Sequence, residues 1–298
     1  MAQKQDINLV NLIERFHGGG ECEKYLEGLR WPDGLACLRC GSVSVSRIKT
    51  RDQYDCNSCR YRFSVRVGTI FHDSHLPLWK WFITTYMMIE SKKGVSANQV
   101  KRTIGVSYKT AWYLCHRIRA AMTLVDPEPL SGTVEVDETW VGGKEEGIGS
   151  GNRGKKSVVV GAVERDGEAR LKVVPDRTRR TLHAFIKEHV DPDTERIITD
   201  EWYPYRGIGD HDTSHETINH ALKEWVRSDV HTNTVENVWS LLKRSIIGSF
   251  HHVSAKHLDA YLDELEWRFN NRDNPYLFRE TIRKLIASKT LEYKTLIA

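Results

Sequence analysis

Hydrophobic positions recur with a helical period at the start of the chain: Ile7, Leu9, Val10, Leu12, Ile13 and Phe16, then Tyr25, Leu26 and Leu29. This spacing predicts one or two short amphipathic helices over 7–30, broken at Gly18-Gly19-Gly20. Residues 31–75 hold only short strand-like stretches, and 78–123 return to a helical pattern. Asp126-Pro127-Glu128-Pro129 ends that pattern, since two nearby prolines stop a helix and stiffen the chain. Beyond it the pattern changes to strands. They are predicted at 132–141, 157–165, 168–174 and 195–199, with another near 215–219. Helices are predicted at 178–190, 234–247, 254–270 and 276–289. Three strands, then helix, strand, strand and helix, describe an α/β mixed sheet flanked by helices.

The strand-poor stretch before the linker carries four of the six cysteines. Cys37 and Cys40 form one Cys-x-x-Cys pair, and Cys56 and Cys59 form another after 15 intervening residues. Two such knuckles place four thiolates on one ion, the closed tetrahedral shell of a structural zinc site. A ribbon this small cannot bury a large core, so Zn²⁺ is expected to supply much of its folding energy. Arg39, Lys49, Arg60 and Arg62 surround the knuckles, with Tyr54, Tyr61 and Phe63 between them. Basic residues interleaved with aromatics suit nucleic acid. Cys22 and Cys115 read as plain thiols.

Downstream, Ser96 can cap a helix through Ile104, Gly105 can turn the chain, and a longer helix can run from Tyr108 to Arg119. This is the pattern of a helix-turn-helix, with Ser107, Tyr108 and Lys109 opening the recognition helix and Trp112 and Ile118 packing inward. Charge supports the placement. Residues 36–125 hold 15 Lys or Arg against four acids, a local balance of +11 within a chain of net +4, so the rest carries −7. A basic arm joined to an acidic remainder fits DNA binding coupled to carboxylate chemistry.

The carboxylates lie where strands end. Asp137 sits late in Thr133-Val134-Glu135-Val136-Asp137, Asp200 closes Arg196-Ile197-Ile198-Thr199-Asp200, and Glu236 opens the 234–247 helix, with 35 residues between it and Asp200. A carboxylate at the end of an apolar strand is costly unless something satisfies it, and a divalent cation does so. Two such ions about 4 Å apart can activate an oxygen nucleophile and stabilise the leaving oxygen in phosphodiester chemistry. Asp137 is expected to bridge both, with Asp200 and Glu236 each holding one. Mg²⁺, or Mn²⁺, suits a site of carboxylates completed by water and phosphate. Lys243 lies seven residues past Glu236 on the same helix face and can hold a DNA phosphate, beside Arg244. Strand parity argues against Glu135 and Glu138 sharing a face. The His residues read mostly as surface or helix-end groups, with His231 ordering the loop before Glu236. The glycine-rich stretch from Gly142 to Lys156 reads as a hairpin touching DNA.

These motifs resemble the ISXO-type group of bacterial insertion-sequence transposases. The resemblance rests on the ribbon leading into Val67-Gly68-Thr69-Ile70-Phe71 and on His231 to Arg244 followed by Gly248-Ser249-Phe250-His251. It rests also on Tyr261-Leu262-Asp263-Glu264 with Trp267 to Arg272, and covers roughly 20–275. It implies an RNase H-like catalytic domain of the DDE type that cuts and joins DNA at element ends and at a target. It further implies work as a homo-oligomer on double-stranded DNA, in a bacterial cytoplasm at the nucleoid. Some members carry Asn at the third acidic position, which leaves Asn237 as an alternative to Glu236. An inactive DNA-binding regulator and a metal-dependent nuclease are the alternatives to a transposase. The expected layout is a helical segment at 1–30, the ribbon at 31–75 and the helix-turn-helix segment at 76–125. A linker at 126–130 and the catalytic domain with C-terminal helices at 131–298 follow. No apolar run is long enough for a membrane span, and no secretory signal opens the chain.

Overall fold

Local signals set most element ends. The computed structural model describes residues 7–17, 19–48, 50–142, 156–209, 213–219 and 226–298. It divides the chain into Met1–Met122 with Asp273–Ala298, and Thr123–Arg272.

In the first unit, α1 (Leu9–Phe16) begins where the Asn8 side chain accepts the Asn11 N–H at 2.9 Å. With α2 (Gly19–Arg30) it packs on α3 (Leu78–Glu90). Three short antiparallel strands follow α2: β1 (Val45–Ile48), β2 (Gln53–Cys56) and β3 (Arg62–Phe63). The helix-turn-helix pattern forms as α4 (Ala97–Ile104) and α5 (Tyr108–Met122). Ser96 caps α4 through the Gln99 N–H at 3.1 Å, and Gly105 ends it at φ 61°, a left-handed conformation glycine adopts freely.

One helix sits elsewhere than the sequence pattern suggests. The sequence pattern groups the 276–289 helix with the mixed sheet. It forms as α9 (Leu277–Ala287) and belongs to the first unit. Phe278, Ile282 and Leu285 are buried there, and Phe278 meets Phe82 edge-on at 5.8 Å. Helical periodicity names the apolar face but not the core it enters. The short α10 (Tyr293–Ile297) closes the chain.

The second unit is a five-stranded mixed sheet: β4 (Thr133–Val141), β5 (Ser157–Glu164), β6 (Ala169–Val174), β7 (Arg196–Asp200) and β8 (Ser214–Ile218). Their order is β6-β5-β4-β7-β8. β4, β5 and β6 pair antiparallel, while β7 runs parallel to β4 and β8 parallel to β7. Alternation sorts the side chains. Val134, Val136, Val158 and Val160 face α6 (Arg179–His189) through Leu182, Phe185 and Ile186. Val159, Val163 and Leu171 face α7 (Asn233–Ser245) and α8 (Leu258–Asn270) through Val238, Trp239 and Leu262. A five-residue π-helical turn, Ile246–Phe250, extends α7. Leu130, counted with the linker, is buried in the α6-side core and bridges Val190.

Candidate metal centres

Both ribbon knuckles share one backbone geometry. Gly41 N–H donates to the Cys37 carbonyl and Arg60 N–H to the Cys56 carbonyl, each at 2.9 Å. The residue after each second cysteine is left-handed, Gly41 at φ 73° and Arg60 at φ 58°. Backbone N–H groups of Arg39 and Cys59 point at the sulfurs of Cys37 and Cys56, at 3.4 and 3.5 Å. The Cys59 N–H draws the Cys56 thiol down to about 6, toward the thiolate a metal needs. Sγ atoms of Cys37 and Cys59 lie 3.7 Å apart, and those of Cys40 and Cys56 3.6 Å. That is far beyond a disulfide bond and close to the ~3.8 Å edge of a tetrahedron with ~2.3 Å metal–sulfur bonds. The four donors fit zinc.

Around the ribbon, Arg39 and Arg60 are exposed, and Arg62 is exposed but bonded to Asp55 at 2.9 Å. Lys49 lies outside the described residues. In α5 the Ser107 hydroxyl caps the helix through the Thr110 N–H at 3.1 Å, so it is already engaged. Tyr108 is exposed, and the exposed Lys109 stacks on Tyr293 at 4.4 Å. Ile118 is buried as expected, and Trp112 is half-buried. The basic character of α5 is partly internal. Arg117 and Arg119 are buried, and Arg117 donates to the Ile70 and His72 carbonyls. Counting charge along a sequence cannot separate such cations from those offered to solvent.

In the mixed sheet, Glu135 pairs with Ile198 across the parallel β4–β7 ladder. The paired ladder ends there, and two residues further on in each strand come Asp137 and Asp200, whose charges interact. Parity puts both on the α7 face, since Val134, Val136 and Ile197 occupy the α6 face. The aspartates sense each other. Burial first, then the charges of Glu138 and Asp200, push the Asp137 carboxyl up to about 7. Glu138 points the opposite way, accepting Tyr205 Oη–H at 2.7 Å and Arg177 at 3.3 Å.

Helix α7 is tied to this face at two places. Trp239 Nε1–H donates to Asp137 Oδ2 at 2.9 Å. The register makes this possible, because Gly161 pairs with Asp137 on β5. A Cβ at Gly161 would lie 2.6 Å from the Trp239 ring, so only glycine admits the indole. At the helix start no side chain of the preceding residue caps the backbone. Glu135, fully buried, does so from β4, accepting the N–H groups of Thr234 at 2.7 Å and Val235 at 3.1 Å. Arg165 Nε holds the same carboxylate at 2.9 Å, and His231 Nδ1 lies 3.2 Å away. Neither Glu135 nor Trp239 stands out in the sequence as part of this site. The one signal in the sequence is that Glu135 shares strand parity with Asp137.

Glu236 stands in the first turn of α7, exposed, and accepts the Thr232 hydroxyl at 3.0 Å. Glu236, Trp239 and Lys243 share one stripe of the helix, while Asn237 lies about 100° around it. Lys243 and Arg244 are exposed. Among the described residues, only the four ribbon thiols gather three or more ligand atoms closely enough for one ion. Asp137 and Asp200 are neighbours, and Glu236 does not close on them. The stretch from Gly143 to Lys155 lies outside the described residues, as do His211 and His220.

These features define a class: a four-thiol ribbon and a mixed sheet that presents neighbouring strand aspartates beneath a pinned helix. Residues 129–270 match the ISXO2-like transposase domain, and residues 20–62 match the transposase zinc-ribbon domain. The chain belongs to the ISXO2-like transposase family. An uncharacterized protein in transposable element ISH50 of Halobacterium salinarum is 28% identical over 86% of this chain and 92% of its own length. An uncharacterized transposase-like protein of Haemophilus influenzae is 34% identical over 34% of this chain and 80% of its own. A solved pre-cleavage Mos1 transpososome covers 70% of this chain and 79% of that chain at 11% identity. Its TM-score is 0.26, too low to define the fold. Among the described residues no helix is long and apolar enough to cross a membrane.

Proposed function

We propose that the chain binds double-stranded DNA at the ends of an insertion sequence and catalyses strand cleavage and strand transfer there. Asp137, Asp200 and Glu236 would hold two Mg²⁺ or Mn²⁺ ions. One observation carries the reading: just past the parallel β4–β7 pairing, Asp137 lies near enough to Asp200 for their charges to interact, on the face where α7 is pinned. Two carboxylates so placed repel, and a divalent cation relieves that repulsion. When bound, such ions lower the pKa of an oxygen nucleophile and neutralise charge at the leaving oxygen.

The chain's own residues do the positioning. Trp239 fixes the Asp137 carboxylate, and Glu135 fixes the α7 N-terminus from which Glu236 projects. Glu236 is the third ligand in preference to Asn237, because it shares the Trp239 stripe. Lys243, two turns along that stripe, neutralises a phosphate beside the acids. Arg39, Arg60, Lys109 and Arg244 are exposed cations for phosphates, and Tyr108 opens the helix that enters a groove. Arg62 contributes less, since Asp55 already holds it. The ribbon and the helix-turn-helix segment form the end-binding arm, and two copies pair the two ends.

A strand-transfer assay tests this. Purified protein, Mg²⁺ and a labelled duplex carrying the ends that flank the gene are expected to give joined products. EDTA and Asp137→Ala should each abolish them while end binding persists. Zinc-dependent end binding without cleavage, in Mn²⁺ as well as Mg²⁺, would instead mark a DNA-binding regulator.

A further inference from the structure

A cavity of about 560 Å³ opens where α7 ends. Its walls include Val141, Ile246, Val253 and Leu258, all from the α7-side core. Lys156, Lys243, His251 and His252 also line it, and none of its described lining residues is acidic. An apolar pocket of this size with cationic and imidazole groups fits a small aromatic ligand that carries an anion.

Its position says which ligand. Two elements lead from the acids into this one cavity. Strand β4 runs four residues from Asp137 to Val141, roughly 13 Å at ~3.3 Å per residue. Helix α7 runs seven residues from Glu236 to Lys243, roughly 10 Å at 1.5 Å per residue. At about 3.4 Å per stacked nucleotide, a DNA strand leaving the acids reaches the cavity within about four nucleotides. A phosphate on Lys243 would then present the next base to the apolar wall.

The wall itself carries a separate mark. Ile246–Phe250 form a π-helical turn, and His251 follows at φ 60°. Both conformations are uncommon for such residues and concentrate at functional sites. Ile247, within that turn, is 75% exposed and lines the cavity. Single-stranded nucleic acid is held in this way generally, by apolar or aromatic contact to the base and cations along the backbone.

We infer that this cavity receives one unstacked nucleotide of the DNA strand, within about four positions of the bond acted on at Asp137 and Asp200. The inference rests on the proposed function, whose acids give the strand its origin.

Photo-crosslinking separates the two. The full-length protein with Mg²⁺ is irradiated on element-end duplexes, each bearing one 5-iodouracil within four nucleotides of the cleaved bond, on either strand. Cleavage is measured in parallel on the same DNA. A crosslink to His251 or His252 at one or two positions is expected, falling at least tenfold in Ile247→Asp. Ile247 is exposed, so that variant should fold, and its melting temperature checks this. Crosslinks only outside the 246–258 segment, or a yield unchanged in Ile247→Asp, would overturn the pocket whether or not the DNA is cut. A pocket crosslink on DNA that is never cut would support the pocket and count against the catalytic reading.

Discussion

The ribbon and the sheet differ in how far each gathers its candidate metal donors. Four thiols sit within 4.8 Å of one another, each knuckle braced by its own backbone. Two aspartates lie side by side on the sheet while Glu236 remains in solvent. The difference follows from the donors. Thiols can be neutral and touch before an ion arrives. Carboxylates at neutral pH repel, and the Asp137 carboxyl is raised to about 7 first by burial and then by the charges of Glu138 and Asp200. A closed shell stabilises a fold, whereas an open one leaves room for substrate oxygens.

The contrast can be broken at its strongest point. Replacing Cys56 with Ser should remove zinc and unfold the ribbon, since structural zinc contributes about 10–16 kcal/mol in small zinc domains. Amide exchange should show protection lost over 37–63 and retained over β4–β7. End binding should fall with it. Uniform loss of protection across the chain would show that the sheet depends on zinc too.

At the sheet, Asp200→Ala should eliminate cleavage and joining, as read on gels, and leave end binding within about twofold. Glu135→Ala should destabilise the Thr123–Arg272 unit by about 3–5 kcal/mol, because it leaves two helix N–H groups unpaired and takes the carboxylate from Arg165, which keeps the Asp229 and His231 carbonyls. Urea unfolding measures that loss. A value below about 1 kcal/mol would mean that α7 is held by its apolar face alone.

Gly161→Ala should cost about 1–3 kcal/mol by forcing the Trp239 ring aside. It should also lift the Asp137 carboxyl further, since the indole N–H favours the charged form. NMR titration of that carboxyl in EDTA reads the shift directly.

The smallest effect is one of pH. Burial raises the carboxyls of both Asp137 and Glu266 to about 7. A raised acid favours the folded state most below its unfolded pKa, and that contribution is lost as pH rises through the folded value. Melting temperature in EDTA should therefore fall between pH 5 and pH 8. Asp137→Asn should flatten the fall in part, and Mg²⁺ should oppose it. A melting temperature that rises over this range would reverse the assignment.

Much of this was legible from residue order. Proline, glycine and capping serine bounded the elements to within a few residues, because those signals act locally. The four ribbon cysteines were readable for the same reason, as spacing along the chain sets the knuckle. Glu135 and Gly161 were not, since their partners lie 99 residues and 78 residues away along the chain, at Thr234 and Trp239. Nothing near Glu135 in sequence separates a buried cap from any other acid. Arg117 and Arg119 misled in the opposite sense, adding to a charge count while buried inside a helical core. Asp137 and Asp200 stood out at the ends of strand-like runs, but only the β4–β7 pairing shows that the two strands are neighbours.

The return of α9 to the first unit has a consequence for synthesis. Phe278, Ile282 and Leu285 complete a helical core begun by Phe16, Tyr25 and Phe82. A ribosome moving at roughly 5–20 residues per second delivers the whole mixed sheet before it delivers that helix. The nascent chain thus carries an unfinished N-terminal core for about 10 seconds or more while its sheet can already form. A premature stop near 272 would release a protein with its acids in place and its arm unsealed.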